Sequence, residues 1–470
     1  MAENRWSRFK HAVSPWGRHP DAGHDGAAAA GLPGAPRAAE ERLRRVGIDP
    51  DRLPISYLGL PVQLLRYPYP PWARRMLIGF LLWAVLYPLE LVGVRLPGWT
   101  VAASSLLVGL IILQAACDAL VTATERLAAR LEWDHYVAGT VAEVLSTLPE
   151  LVVIAFVVPV SPLTAFVIAL ITIYNNALVF SLYSFFLPKD RRGRYLMPAP
   201  ITEAGTQILI AGAAIGLTLG LVMLTLTAGE HPKAGFQPHD LALVAVILLL
   251  IFGVYLYRLI SLYAKEEREV RETLDLTDED IEERRDLVYR HVGRSTLPRI
   301  ALLLAAGVAG AVMGGERVGA FAEAAIGDLG LNSILTALLL AVFGGMSEYV
   351  ILWHSHRKGE YGIALANAFG GITQVMFLVL PCTLLLIALY QRFGLDGAPA
   401  IEFTLSNIFL LIFLFPIFFV LAELIEEDHT LGLFDTIIMT AIFLLLILVL
   451  VTYGADPVSL RRGGVRRSAP

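Results

Sequence analysis

The sequence predicts an all-α polytopic membrane protein with about eleven transmembrane helices. Of its 470 residues, 56% are hydrophobic and only 17% are charged, and the mean hydropathy is +0.63. A soluble protein of this length carries about 25% charged residues. Apolar runs recur from residue 75 to residue 453. A β-barrel is not expected, because runs such as residues 436–452 are apolar on every face instead of alternating.

The candidate helices divide into one leading helix and two groups of five. A spanning helix needs about 20 apolar residues. The chain offers such stretches near residues 75–95, 104–124, 135–158, 162–187, 201–228, 240–263, 297–315, 331–355, 360–388, 402–421 and 432–453. Because five is an odd number, the second group enters the membrane from the opposite side. The sequence therefore predicts a five-plus-five inverted repeat, related by a pseudo-two-fold axis in the membrane plane.

These helices divide the chain into six segments. In chain order they are a disordered cytoplasmic N-terminal segment, the leading helix, the first repeat, a charged cytoplasmic linker, the second repeat and a basic tail, at residues 1–74, 75–103, 104–263, 264–296, 297–453 and 454–470. Basic residues in the linker and in the loops at 189–194 and 357–358 place all three on the cytoplasmic side. The four arginines of the tail do not fit this orientation, because a chain with eleven helices and a cytoplasmic N-terminus ends outside the cytoplasm.

Polar residues inside the apolar runs occur at matched positions in the two halves. Glu150 and Glu348 are 198 residues apart. The same offset, or one that is a single residue longer, relates four further pairs: Asp118 and Glu316, Glu125 and Glu323, Asn176 and Gln374, and Glu203 and Glu402. Polar side chains in hydrocarbon are costly and generally mark an ion or substrate path. The matched positions therefore predict a transport site between two repeats.

Each central acid lies in a segment that also supplies neutral oxygen atoms. Two hydroxyl side chains and Pro149 precede Glu150, and a proline inside a helix frees backbone carbonyl groups. A serine and two glycines, which loosen a helix, precede Glu348. Such an all-oxygen set suits a hard cation such as Ca²⁺ or Na⁺. The predicted cation-binding residues are Glu150, Glu348, Ser146, Thr147, Ser347, Gly344, Asn176 and Gln374, with the two glutamates as the metal ligands. The alternative is a buried polar network that only holds the helix bundle together.

Other polar residues are assigned secondary positions around this site. One pair of matched acids is expected to start or orient helices at its edge. Another pair follows prolines near predicted helix starts, where a carboxylate complements the helix dipole, and a proton-relay role is a second interpretation of that pair. The possible secondary residues are Asn175 and Thr373 in the helices that follow the central acids, Asp118 and Glu316 at the helix edge, and Glu203 and Glu402 at the helix starts.

These motifs resemble those of the cation/calcium antiporter superfamily, which contains the sodium/calcium and the calcium/proton exchangers. The resemblance covers roughly residues 104–453. Residues 146–150, Ser-Thr-Leu-Pro-Glu, are similar to the first repeat of the sodium/calcium type, and residues 344–381 are similar to the second repeat of the calcium/proton type. The resemblance implies that Glu150 and Glu348 are the central cation ligands. Tyr174 and Ile372 depart from the family pattern, because they place bulk where small polar residues are usual.

The expected function is secondary active antiport, in which Ca²⁺ or a similar cation is exchanged for H⁺ or Na⁺ by alternating access. A Na⁺/H⁺ exchanger and a non-transporting membrane scaffold or sensor are the alternatives, and a channel would need a continuous wet pore. Enzyme activity is not expected, since the sequence has no nucleophile elbow, phosphate loop or His-rich metal motif. We expect no cofactor and no nucleic-acid partner, only membrane lipid and the transported cations. The expected location is the bacterial inner membrane; the oligomeric state stays open.

Overall fold

A computed structural model describes residues 71–91, 97–131, 144–145, 147–189, 192–197, 201–228, 235–273, 296–345, 348–349, 352–353, 356, 361–393, 401–402, 404–427 and 429–453. Most of the predicted N-terminal segment, most of the charged linker and nearly all of the basic tail lie outside these residues.

The described residues form a helical bundle with four short strands. The helices are α1 (Pro71–Leu91), α2 (Gly98–Leu131), α3 (Leu148–Val157), α4 (Pro162–Tyr183), α5 (Thr206–Ala228), α6 (Pro238–Thr273), α7 (Leu297–Glu323), α8 (Ser333–Gly344), α9 (Tyr361–Gln374), α10 (Leu380–Phe393), α11 (Leu405–Glu426) and α12 (Leu433–Tyr453). A 3-10 turn, Ser184–Phe186, extends α4, and π turns occupy Ile201–Gly205, Ala324–Asp328 and Val375–Val379. The strands are β1 (Arg194–Leu196), β2 (Gly235–Phe236), β3 (Ile401–Glu402) and β4 (Thr430–Gly432).

The architecture confirms the predicted fold class. The π turn Val375–Val379 joins α9 and α10 into one span, Ala364–Phe393. Within the described part of the chain, seven helices are long and apolar enough to cross a membrane, and two shorter apolar helices are Leu148–Val157 and Leu433–Val449. The leading helix α1 and the short helix α8 bring the total to the eleven predicted spans. These two are not among the nine apolar helices, so the number eleven is approximate.

The helix α7 continues past two charged residues at which the sequence pattern predicts its end. The predicted span 297–315 ends where two charged residues begin, whereas α7 continues to Glu323 and a π turn extends it to Asp328. The Arg317 guanidinium donates to both carboxylate oxygens of its neighbour Glu316, with an Nε–Oε2 distance of 2.8 Å. Because the two charges neutralise each other, they do not interrupt the membrane-embedded helix.

The strand pairs place loops of the two repeats beside each other in a symmetric way. β1 lies between α4 and α5 and pairs with β4, between α11 and α12. β2 lies between α5 and α6 and pairs with β3, between α10 and α11. Each pair joins the loop before the fourth helix of one repeat to the loop after the fourth helix of the other. Exchanging the repeats converts one pair into the other, as a pseudo-two-fold axis in the membrane plane requires.

Helix packing separates α2 and α7 from most of the bundle. The main apolar core joins buried residues of α3 to α12, and α2 and α7 contribute only Ala102 and residues near the end of α7, such as Val318 and Phe321. Other buried side chains of the two helices, such as Ile112 and Leu120, lie outside that core. Leu120 packs against α7, where a Cβ atom on Gly307 would lie 2.6 Å from Leu120 Cγ, and Ile112 packs against α1, where a Cβ atom on Gly79 would lie 2.5 Å from Ile112 Cγ1. The fold therefore consists of a large core and a smaller unit built on α2 and α7.

Tyr174 is a structural link inside the large core. It is 1% exposed, and its hydroxyl donates to the Leu410 carbonyl of α11. We expect Tyr174→Phe to lower the free energy of unfolding by about 1–3 kcal/mol, because the change removes a buried hydrogen bond. Thermal unfolding of the detergent-solubilised protein checks this, and transport by the folded variant should be retained. An unchanged melting temperature would contradict the structural role.

Candidate cation site

The first central acid lies at the start of α3. Thr147 is the N-cap residue, and Pro149 and Glu150 lie in the first turn. The helix α3 begins at Leu148, so Pro149 lies in its first turn, where a proline costs no hydrogen bond. The Thr147 hydroxyl donates to the Val144 carbonyl at 2.7 Å. Ser146, predicted beside it, lies outside the described residues.

Glu348 and Asn176 meet at Gly371. A Cβ atom on Gly371 would lie 2.8 Å from Glu348 Oε2 and 2.9 Å from Asn176 Nδ2. Both polar groups therefore occupy the space beside the bare Cα of α9. Asn176 belongs to α4 in the first repeat and Glu348 follows α8 in the second. The structure thus brings together two predicted site residues that are 172 positions apart in the sequence.

Glu150 and Asn176 both carry buried polar atoms without hydrogen-bond partners among the described residues. Glu150 is 9% exposed and Asn176 is 1% exposed. Glu150 Oε1 and both amide atoms of Asn176 have no hydrogen-bond partner among the described residues. The Thr172 hydroxyl, which donates to the Ile168 carbonyl at 2.9 Å, is also within hydrogen-bonding reach of the Glu150 carboxylate. Each unsatisfied buried group costs about 1–3 kcal/mol, so these oxygen atoms are suited to a bound cation.

Asn175 and Tyr349 form a polar link that the sequence pattern does not predict. Asn175 Nδ2 donates to the Tyr349 hydroxyl and, at 3.5 Å, to the Ala341 carbonyl. The Tyr349 hydroxyl lies within electrostatic range of both Glu348 and Glu150. The indication that the sequence offers for this link is that Tyr349 directly follows Glu348.

The remaining predicted residues of the second repeat surround Glu348 without all contributing oxygen atoms. Asn367 Nδ2 donates to the Glu348 backbone carbonyl at 3.4 Å. The Thr373 hydroxyl donates to the Gly370 carbonyl of its own helix at 3.1 Å. Gln374 is buried at the end of α9, and Gly344 is the last residue of α8. Ser347 lies outside the part of the chain that the structure describes.

The matched acids Asp118 and Glu316 contact the leading helix α1. Asp118 Oδ2 lies 2.9 Å from Arg75 Nη1, and Glu316 Oε2 accepts a hydrogen bond of 3.2 Å from Trp83 Nε1. Both acids therefore have partners on a helix that belongs to neither repeat.

The matched acids Glu203 and Glu402 lie at loop positions. Glu203 is exposed in the π turn before α5 and lines a cavity of about 250 Å³ with Arg258, Glu426 and His429. Glu402 is in β3, where it pairs with Gly235. Glu203 is thus close to a helix start, as expected, whereas Glu402 precedes α11 as part of a strand.

Two carboxylates are the acidic groups of the candidate site. Across the described residues, no cluster of three or more His, Cys, Asp or Glu side chains could hold a metal ion. A cation between Glu150 and Glu348 would therefore need neutral oxygen atoms to complete its shell. Amide, hydroxyl and backbone carbonyl oxygens, the types present around both glutamates, are common ligands of Ca²⁺.

The chain is similar to one protein-family model and to several solved structures. Residues 299–452 match the family model described as sodium/calcium exchanger protein. Direct comparison with curated proteins gives no match. The crystal structure of the H⁺/Ca²⁺ exchanger CAX is similar at 14% identity over 80% of this chain and 88% of that chain, with a TM-score of 0.56. The structure of native YfkE is similar at 14% identity over 78% of this chain and 97% of that chain, with a TM-score of 0.51.

The solved structures share the fold over most of the chain, and the family model matches nearly all of the second repeat. Together these findings show that the chain shares the fold of these two solved structures and that its second repeat is similar to the sodium/calcium exchanger family model.

Proposed function

We propose that the protein is a secondary active antiporter that exchanges Ca²⁺, or a similar cation, for H⁺ or Na⁺ across the bacterial inner membrane. The observation that supports this proposal is the meeting of Glu348 and Asn176, from two repeats, at Gly371, together with buried oxygen atoms of Asn176 and Glu150 that have no partner among the described residues. Intramembrane acids are rare and generally belong to ion or proton paths.

The charge of the site explains why two fluxes would be coupled. Two carboxylates in a low-dielectric interior repel each other and are costly to desolvate, so they require neutralisation. A divalent cation can supply it in one phase of the cycle, and protons or Na⁺ can supply it in the other. The empty, doubly charged site would then be unable to change its exposure from one side of the membrane to the other. Exchange follows, because each crossing requires a bound cation or protons.

The number of available oxygen atoms bears on the identity of the cation. Ca²⁺ takes six to eight oxygen ligands at about 2.3–2.6 Å. Glu150, Glu348 and Asn176 contribute side-chain oxygens to the proposed site, and backbone carbonyls near Gly344 and Thr147 would add others. Ile372, which is fully buried beside Gly371, contributes no side-chain oxygen. This apolar position favours Na⁺/H⁺ exchange as the second candidate function, since a monovalent cation needs fewer charged ligands.

The first experiment is radiolabelled Ca²⁺ uptake into proteoliposomes, with an imposed pH gradient in one set and a Na⁺ gradient in another. Uptake driven by the pH gradient is the expected result and would support Ca²⁺/H⁺ exchange. Uptake driven only by Na⁺ would assign the protein to sodium/calcium exchange. If neither gradient drives Ca²⁺, Ca²⁺ exchange is wrong, and Na⁺ uptake under a pH gradient tests the second candidate. If that uptake is also absent, the scaffold alternative gains support.

A further inference from the structure

A polar cavity lies at one end of the helix bundle, and the central cation-site residues do not line it. It has a volume of about 250 Å³ and is lined by the π turn before α5, by α6 near the start of the charged linker, and by the end of α11 with the residues after it. The loop at 189–194 precedes this π turn and the linker follows α6, so the cavity lies on the side of the membrane that is predicted to be cytoplasmic.

The cavity lining carries charges of both signs. Glu203 and Glu426 are exposed carboxylates, and Arg258 supplies a positive charge. Arg258 Nη1 donates to Gln207 Oε1 at 2.5 Å, which bridges α6 to α5. A guanidinium has five N–H donors, so this bond leaves donors for an anionic group. A metal ion would be repelled by the arginine and a simple anion by the two carboxylates, whereas a ligand with both charges matches the lining.

The helix ends around the cavity separate the two charges. The π turn Ile201–Gly205 continues directly into α5, and the start of a helix carries a partial positive charge. α11 ends at Glu426, and the end of a helix carries a partial negative charge. Two further exposed acids, Glu423 and Glu427, lie at the same end of α11. The α11 side of the cavity therefore favours a cationic group, and the α5 side with Arg258 favours an anionic one.

Two exposed apolar stripes lead from this cavity into the membrane-spanning region. α6 packs along α10 and α5 packs along α11, and each keeps an outward face. Residues at helical spacing on the face of α6 that leads to Arg258 are 61–74% exposed: Leu243, Leu250, Val254 and Tyr257. On the face of α5 that leads to Gln207, Ile210 and Leu221 are 45% and 47% exposed. A ligand with a charged head in the cavity and apolar chains on these stripes would bury both surfaces.

We propose that this cavity binds the headgroup of a zwitterionic phospholipid with a primary ammonium group, a phosphatidylethanolamine. Arg258 binds the phosphate, Glu203 and Glu426 accept hydrogen bonds from the ammonium, and the acyl chains lie along α5 and α6. The cavity is smaller than the about 300–1,000 Å³ of pockets for drug-sized ligands, as a small headgroup requires. A trimethylated headgroup has no N–H donor for the carboxylates. The inference does not depend on which ions the protein exchanges.

Competition between lipids tests the proposal on the unaltered protein. The detergent-solubilised protein is mixed with equal amounts of phosphatidylethanolamine, phosphatidylcholine and phosphatidylglycerol with identical acyl chains, and native mass spectrometry measures the lipid retained. Phosphatidylethanolamine should be retained at least roughly fivefold more than either other lipid, because it alone satisfies both charges of the lining. Glycerophosphoethanolamine, the same headgroup without acyl chains, should not displace it at equal concentration.

Substitutions test the role of each charge. The double variant Glu203→Gln with Glu426→Gln should bind phosphatidylethanolamine no better than phosphatidylcholine. Arg258→Ala should weaken the binding of both lipids roughly tenfold, since both carry the phosphate. Arg299→Ala is the matched control, because Arg299 is an exposed arginine at the start of α7 that does not line the cavity. It should retain the lipids as the unaltered protein does. Melting temperatures show that each variant is folded.

The outcomes that overturn the proposal are distinct. Equal retention of the three lipids, or a preference for phosphatidylglycerol, would show that the cavity does not recognise a zwitterionic headgroup. Displacement by glycerophosphoethanolamine at equal concentration would make the cavity a site for a soluble ligand. An unchanged preference in the folded glutamine variant would remove the carboxylates from the site. If a variant does not fold, the competition on the unaltered protein decides. These readouts need no transport, so failure of the proposed antiport would not affect them.

Discussion

Glu150→Gln and Glu348→Gln are each expected to abolish cation exchange while the protein stays folded. Glutamine has nearly the same shape as glutamate but supplies one carbonyl oxygen and no charge. Loss of one partner from a buried charged pair costs about 3–5 kcal/mol, which corresponds to roughly a 10²–10⁴-fold loss of cation affinity. Radiolabelled Ca²⁺ uptake into proteoliposomes that contain matched amounts of protein measures the effect.

The folded state should not suffer from either replacement. Glu150 Oε1 has no hydrogen-bond partner among the described residues, so removal of its charge relieves a desolvation cost. The melting temperature of Glu150→Gln should therefore equal or exceed that of the parent. Glu323→Gln is the matched control, because Glu323 is an exposed acid of α7 and its loss should leave uptake unchanged. Full uptake by both central variants would favour the scaffold or the buried structural network.

The helices of this protein follow from the sequence because their main determinant is local. A run of about 20 apolar residues must be helical to satisfy its backbone in lipid, and the spans beginning at Pro162 and Ile201 agree closely with the predicted stretches. The inverted relation of the repeats is also local in origin, since it follows from an odd number of helices per repeat. The paired strands at equivalent loops are what that relation requires.

The contacts of the site could be predicted only in part. The common offset identified Glu150, Glu348 and Asn176, but an offset states which positions are equivalent, not what they face. Asp118 and Glu316 illustrate the difference, because their partners lie on α1, which has no counterpart in the repeats. The Asn175–Tyr349 link and the position of Gly371 depend on how helices far apart in sequence pack. No spacing within one helix encodes such contacts.

Gly371→Ala is expected to impair cation binding without destabilising the fold. The added Cβ atom would lie 2.8 Å from Glu348 Oε2 and 2.9 Å from Asn176 Nδ2. Both atoms are at the ends of flexible side chains, so they can move away at a cost of about 0.5–1.5 kcal/mol in rotamer energy. The backbone need not shift, but the carboxylate and the amide leave their positions beside α9. We expect KM for Ca²⁺ to rise roughly tenfold or more, because a displacement of about 1 Å at a site can cost about 10²-fold.

Gly212→Ala distinguishes this effect from ordinary overpacking. A Cβ atom on Gly212 of α5 would lie 2.9 Å from the Phe418 ring of α11, a steric conflict of similar severity that involves no polar atom. Overpacking of this kind costs about 1–3 kcal/mol, so Gly212→Ala should lower the melting temperature and leave KM unchanged. Gly371→Ala should leave the melting temperature unchanged and raise KM. If Gly371→Ala lowered the melting temperature and left KM unchanged, Glu348 and Asn176 would be packing residues and the cation would bind elsewhere in the bundle.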